Sequence, residues 1–196
     1  MDFLLTEDER MIQEAARELA TKEFAPRAAH YDETSEFPHE NVEKLAELGF
    51  MGMSVEEQWG GAGLSNVAYV LAMEEISKAC ASTGVIMSVN NSLVCDPIAK
   101  FGNDDQKEQY LKPLAQGQKI GAYCLSEPEA GSDAQNLRMT AVKDGDHYVL
   151  NGEKCFITNG QVAHVYVVYV KTDPEAGHRG IRSEERRVGK ECIVKC

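Results

Sequence analysis

Val162-Ala163-His164-Val165-Tyr166-Val167-Val168-Tyr169-Val170 carries the strongest strand signal in the 196-residue chain. It is filled with β-branched and aromatic residues, the side chains that pack best on a pleated surface. Shorter segments of similar character precede it. Tyr123-Cys124-Leu125 is short and apolar, and Leu137-Arg138-Met139-Thr140-Ala141-Val142 alternates in polarity. Asp144-Gly145 and Asn151-Gly152 are hairpin turn signals. The second is flanked by His147 to Leu150 and by Lys154 to Thr158. Residues 120–181 are thus expected to form an antiparallel β domain.

Before residue 120 the periodicity is helical. Thr6-x-x-Glu9 is a capping box, in which each side chain satisfies a backbone donor of the other. Ile12, Ala15, Ala16, Leu19, Ala20 and Phe24 then recur at helical spacing. A second helix is predicted from about Pro38 to Leu48, stopped by Gly49. Trp59-Gly60-Gly61-Ala62-Gly63-Leu64 is a glycine-rich bend. No strand precedes these glycines and no Lys-Ser/Thr follows, so they read as a turn rather than a phosphate cradle. Ser65 can cap a third helix running to about Cys80. A fourth spans about Thr83 to Phe101, and Asn103-x-x-Gln106 opens a fifth, closed by Gly117. In its place on the third helix, the Glu74-Glu75 pair reads as solvated. The fold class is therefore α+β, with residues 1–119 an all-α helical bundle followed by the β domain.

Composition excludes several classes. A net charge of −12 opposes nucleic-acid binding, which needs clustered Lys and Arg to displace counterions. No apolar run is long enough to cross a bilayer, so no membrane partner is expected. The acidic N-terminus lacks the basic start of a targeting peptide, and a cytoplasmic location is expected. Cys80, Cys95, Cys124 and Cys155 are spread through apolar settings and read as free thiols. The histidines show no ligand spacing, so no metal site is expected.

Two segments carry the chemistry: Tyr123-Cys124-Leu125-Ser126-Glu127-Pro128-Glu129-Ala130-Gly131-Ser132-Asp133 and Asn151-Gly152-Glu153-Lys154-Cys155-Phe156-Ile157-Thr158-Asn159-Gly160. These segments resemble the flavin-binding motifs of the acyl-CoA dehydrogenases, and that resemblance implies a flavin, whose pyrimidine edge offers several acceptors and one donor. Backbone groups at a strand end, such as Tyr123 to Ser126, can pair with it, as can the hydroxyls of Ser126 and Thr158. Donors there favour hydride uptake, because negative charge gathers on that edge on reduction. Phe156 can cover a ring face. Gly131 lets backbone approach a ligand, and Ser132 adds a small donor–acceptor group. Taken singly, Ser126 is an ordinary turn former, Thr158 a plain β residue and Phe156 a core aromatic. The case rests on both motifs at their spacing.

Leu-Ser-Glu-Pro-x-Ala-Gly-Ser-Asp followed by Asn-Gly-x-Lys-x-x-Ile-Thr-Asn-Gly resembles the acyl-CoA dehydrogenases, with the short-chain, butyryl-type branch closest. The resemblance covers residues 1–181 and includes Trp59 to Gly63 and the Met73-Glu74-Glu75-Ile76 helix. It implies FAD held by Tyr123, Cys124, Leu125, Ser126, Gly131, Ser132, Phe156, Ile157 and Thr158, with Ser132 also touching the acyl-CoA substrate. It implies a proton taken from the α carbon by a glutamate, hydride passed from the β carbon to the flavin, an electron-transfer flavoprotein as acceptor, and a homotetramer. Phe156 stands where many relatives carry Trp; Glu129 and Asn136 also depart from the common pattern. No Glu of this chain matches the catalytic base, which is expected on a C-terminal helical domain beyond residue 196. No catalytic residue is assigned here, and Glu127 and Glu153 are not promoted to the role. The alternatives are an inactive fragment without tightly bound cofactor, or an acyl-CoA oxidase or nitroalkane-type relative on the same fold.

From Arg182 onward, Arg-Ser-Glu-Glu-Arg-Arg-Val-Gly-Lys-Glu-Cys shows no helical or strand periodicity. It resembles the in-frame translation of a common DNA sequencing adapter, and residues 182–196 are expected to be an artefactual tail. Leaving out their five basic and three acidic residues makes the net charge −14. A natural basic tail for an acidic partner is the alternative.

Overall fold

At the Lys119–Ile120 junction the chain divides into two units, Met1–Lys119 and Ile120–Cys196. The computed structural model describes residues 4–145 and 147–187, with side chains described as far as residue 182.

The first unit is helical, as its periodicity predicts. The Thr6 box forms: the Glu9 amide donates to Thr6 Oγ1 (3.2 Å) and the Thr6 amide to Glu9 Oε2 (3.0 Å). Ser65 caps the helix Asn66–Ala79 by accepting the Ala68 amide at 3.1 Å. Asn103 and Gln106 exchange two 2.8 Å bonds at the start of the last helix. Between these lie the helix His39–Glu47 and a long helical stretch over residues 81–101.

Three prolines shape the long helices. Proline cannot donate a backbone hydrogen bond, and its ring crowds the carbonyl four residues back. At Pro26, Pro97 and Pro113 the preceding turn widens into a π segment: Ala20–Phe24, Val89–Cys95 and Lys107–Leu111. Each time, the residue before the proline donates five residues back, Ala25 to Ala20, Asp96 to Asn91 and Lys112 to Lys107. The wider turn absorbs the ring without ending the helix.

Two buried asparagines of the unit bond the backbone of neighbouring elements. Asn91 donates to the carbonyls of Phe50 (2.8 Å) and Met87 (3.0 Å) and accepts the Met53 amide (2.8 Å). Asn90 donates to Met51 O at 2.8 Å and Leu114 O at 3.2 Å. These bonds bind the irregular 50–53 segment to the helical core. Glu75 is not solvated as expected. It is buried, and Arg17 of the first helix reaches both its oxygens, at 2.9 and 3.2 Å. Its neighbour Glu74 is exposed and pairs with Lys78. In the glycine-rich bend, a Cβ on Gly61 would lie 2.1 Å from Val55 O. The glycine is there for close packing.

The second unit holds one sheet with β1 (Gly121–Cys124), β2 (Thr140–Asp144), β3 (His147–Asn151), β4 (Val165–Lys171) and β5 (Ile181–Arg187). The order is β1-β4-β2-β3, with β5 also on β4. β2 and β3 pair antiparallel, as do β4 and β5, but β1 and β2 both run parallel to β4. The sheet is thus mixed rather than purely antiparallel. A long excursion separates β1 from β4, so the two need no hairpin and are free to align in parallel. β4 is flanked on both edges and buried on both faces, which explains its nearly unbroken apolar text. Ala122, Cys124, Met139, Ala141, Ile157, Ala163, Tyr166, Val168 and Val170 form its core.

Two further expectations are corrected. Asn151-Gly152 is not a hairpin turn, and residues 153–156 are irregular. Gly152 instead sits against β2's approach, where a Cβ would lie 2.7 Å from Met139. Residues 182–187 do form strand, paired with β4 from Lys171↔Ile181 to Val165↔Arg187. A ladder is built from backbone groups and tolerates side chains without alternation. The rest of the expected tail, residues 188–196, lies outside the described residues.

Candidate functional site

β1 hands the chain to Leu125 and Ser126, both half-buried. Tyr123, half-buried on β1, packs against Tyr169 of β4 with ring centroids 5.0 Å apart. Burial, with the neighbouring phenol, pushes the Tyr123 hydroxyl up to about 12, so it stays protonated at neutral pH. Glu127 and Ala130 then exchange backbone bonds of 3.0 and 3.1 Å, closing a turn over Pro128-Glu129. Asn136 Nδ2 donates to Glu129 O at 2.8 Å and pins that turn from outside. Gly131 and Ser132 follow in an exposed bend, with open space around Gly131.

The second segment lies against the first. The Cys155 amide donates to Ser126 O at 2.9 Å. Lys154 Nζ donates to Leu125 O at 2.9 Å and to Glu127 Oε1 at 2.8 Å. Phe156 follows with φ +56° and a ring that is 92% exposed. Ile157 turns into the sheet core, Thr158 is half-buried, and Asn159 (φ +65°) donates to Gly121 O at 2.9 Å. Of the three described non-glycine residues in the left-handed region, Ser35, Phe156 and Asn159, the last two flank the Ile157-Thr158 pair. A bulky aromatic in that region is strained, and it is held there by its surroundings.

The Ser126–Cys155 bond sets Leu125 and Ser126 beside the Cys155-Phe156 stretch, and the Asn159–Gly121 bond ties the Ile157-Thr158 stretch to the start of β1, which leads through Tyr123. Cys124 and Ile157 take part through their backbones only, because their side chains fill the sheet core. Among the described residues no hydrogen bond ties Ser132 to either segment. The hydroxyls of Ser126 and Thr158 likewise have no partner among the described residues. Two uncommitted hydroxyls on the segments that also carry a bare aromatic ring suit a flat ligand with a polar edge, and the residues present fit a flavin on that ground.

Sequence reasoning passed over one feature, the buried Glu127–Lys154 pair. Both residues sit inside the two motifs, but Ser126 and Glu129 near Glu127, and Glu153 beside Lys154, give each a polar context that does not mark it as buried. Glu127 also accepts the amides of Arg138 (2.6 Å) and Met139 (3.1 Å). Burial opposes its charge, but Lys154 and the two amides outweigh burial and hold the carboxyl below the usual range. At Lys154 burial prevails over the carboxylate, so its pKa is lowered too. With its oxygens taken by three donors, Glu127 is not available as a general base.

Residues 6–118 match the acyl-CoA dehydrogenase N-terminal domain, and residues 122–183 the acyl-CoA dehydrogenase middle domain. The chain belongs to the acyl-CoA dehydrogenase family. It is 48% identical over 181 residues to a short-chain specific acyl-CoA dehydrogenase of Clostridium acetobutylicum, covering 92% of this chain and 48% of that protein. Among solved structures it resembles butyryl-CoA dehydrogenase from Megasphaera elsdenii, with TM-score 0.91 and 37% identity over 97% of this chain and 51% of the other. A structure described as the electron transferring flavoprotein of Acidaminococcus fermentans contains a chain that matches with TM-score 0.93 and 44% identity, over 96% and 50%. The chain spans about half the length of the relatives it matches.

Proposed function

We propose that this chain is the front part of an FAD-dependent dehydrogenase of short-chain acyl-CoA thioesters, which passes its electrons to an electron-transfer flavoprotein. The observation that carries the reading is the exposed Phe156 ring, held at φ +56° directly after the Cys155 amide that bonds Ser126 O. Strain kept in a fold to display an apolar ring has a use. FAD, when bound, accepts the hydride from the substrate's β carbon. Leu125, Ser126 and Thr158 orient its polar edge, Phe156 excludes water from one face, and Tyr123, Cys124 and Ile157 contribute backbone. Gly131 leaves room for the ligand, and Ser132 meets both flavin and acyl-CoA. The α-carbon base is assigned to a glutamate beyond this chain, since Glu127 is committed elsewhere. The assembled enzyme is proposed to be a cytoplasmic homotetramer.

The product of the complete reading frame should purify with FAD and bleach on addition of butyryl-CoA; colourless protein that binds no added FAD would refute the assignment. A second reading concerns the 196-residue chain alone, which spans half of its relatives and is proposed to hold FAD poorly. Stoichiometric flavin in that chain would refute it. Residues 182–196 are read as foreign to the natural protein, and the genomic frame past Gly180 tests this.

A further inference from the structure

We infer that Glu127 and Lys154 are positioning residues, a buried ion pair that sets the two flavin-facing segments in register. The inference rests on the proposed flavin site. Between them the two side chains touch three separate stretches of chain. Lys154 holds the end of β1 through Leu125 O, and Glu127 holds the entry to β2 through the amides of Arg138 and Met139. Their mutual bond of 2.8 Å closes the set. Ser126 lies between Leu125 and Glu127, and Phe156 lies two residues after Lys154. Any slip of the pair therefore moves both the hydroxyl and the ring proposed to meet the flavin. A buried ion pair is not needed for stability, since apolar replacements of similar volume often serve as well. What it adds is one fixed geometry, because each charge tolerates only the arrangement that satisfies it.

The test uses the complete enzyme, with Glu127→Gln, Lys154→Met, the double variant and the conservative Lys154→Arg. FAD affinity, the flavin's visible band shape and its midpoint potential are read beside the melting temperature. The double variant removes both charges without stranding either, so it keeps the test informative if the single variants do not fold. It is expected to fold, yet to bind FAD about tenfold more weakly or worse with an altered band, the scale on which small misplacements act. Lys154→Arg should recover most of the affinity. A double variant with wild-type FAD affinity, spectrum and potential overturns the positioning role, whatever its melting temperature. Absence of FAD binding by the wild-type enzyme would instead sink the flavin reading itself, which keeps the two failures apart.

Discussion

Asn159 donates its side-chain amide to the carbonyl of Gly121 at 2.9 Å while its own backbone sits at φ +65°. One residue thus fixes the loop that carries Ile157 and Thr158 to the first strand of the sheet. Asparagine suits the position twice, since its short amide reaches the carbonyl and it tolerates the left-handed region better than other side chains.

The two contributions can be separated. Asn159→Gly keeps the backbone conformation and loses the bond, so it should destabilise the second unit by about 1 kcal/mol. Asn159→Ala loses the bond and also strains the backbone, and should cost about 2 kcal/mol. Urea unfolding followed by circular dichroism gives the order. Equal losses would mean that the backbone conformation contributes nothing.

Asn91 supports a heavier load. Asn91→Ala strands Phe50 O and the Met53 amide inside the first unit, leaving two buried polar groups unpaired. About 3 kcal/mol should be lost, read as a drop in the urea midpoint. An Asn91→Asp variant keeps the acceptor for Met53 but turns a buried carboxylate onto the Phe50 and Met87 carbonyls, and should lose at least as much as Asn91→Ala.

Local signals were read correctly from the sequence because their partners lie within a few residues. Thr6 with Glu9, Ser65 with Ala68, and Asn103 with Gln106 each close a bond that the text displays. Long-range partners were not legible. Nothing near Glu75 announces Arg17, fifty-eight positions away, so an ordinary surface pair was the default reading. Asn151-Gly152 misled for a related reason: the dipeptide fits a hairpin, but Lys154 is drawn inward to Glu127 and breaks the second arm. The two motifs were legible as sequence, whereas the ion pair that joins them required the fold.

Gly61 and Gly63 stand in the same bend with different demands. At Gly61 a Cβ would meet the backbone of Val55 at 2.1 Å, an obstacle that cannot swing aside. At Gly63 (φ +61°) the nearest atom is Glu57 Cγ, 3.7 Å away. Gly61→Ala should therefore cost about 3 kcal/mol through overpacking, against about 1 kcal/mol for Gly63→Ala through backbone strain alone. Thermal melts of the two variants decide, and a reversed order would contradict the packing at Val55.

Acid should weaken both units through identifiable carboxylates. Arg17 beside Glu75 lowers its pKa against the opposing effect of burial, and Glu127 is held low as described. A carboxyl whose folded pKa lies below its unfolded value of about 4.3 contributes in full above that value. The contribution is lost as pH falls through the folded pKa. Stability should thus be flat near neutrality and fall below about pH 4. Glu75→Gln and Glu127→Gln should each make that fall shallower while lowering the neutral plateau. An unchanged acid slope in both variants would show that the two carboxylates titrate alike folded and unfolded.

Phe156 offers a direct test of whether strain has been kept for a ligand. Its ring is 92% exposed, so removing it gives up almost no burial. Its backbone, at φ +56°, suits asparagine better than phenylalanine. Phe156→Asn should therefore leave the fold as stable as before or more stable by about 0.5–1 kcal/mol. The same change should weaken FAD binding by the complete enzyme, because it removes the ring proposed to cover the flavin. Opposite signs in the urea midpoint and in FAD affinity are the expected result. A variant that gains stability and binds FAD as tightly as the parent would leave the strained conformation without a flavin role, and Phe156 would drop out of the site.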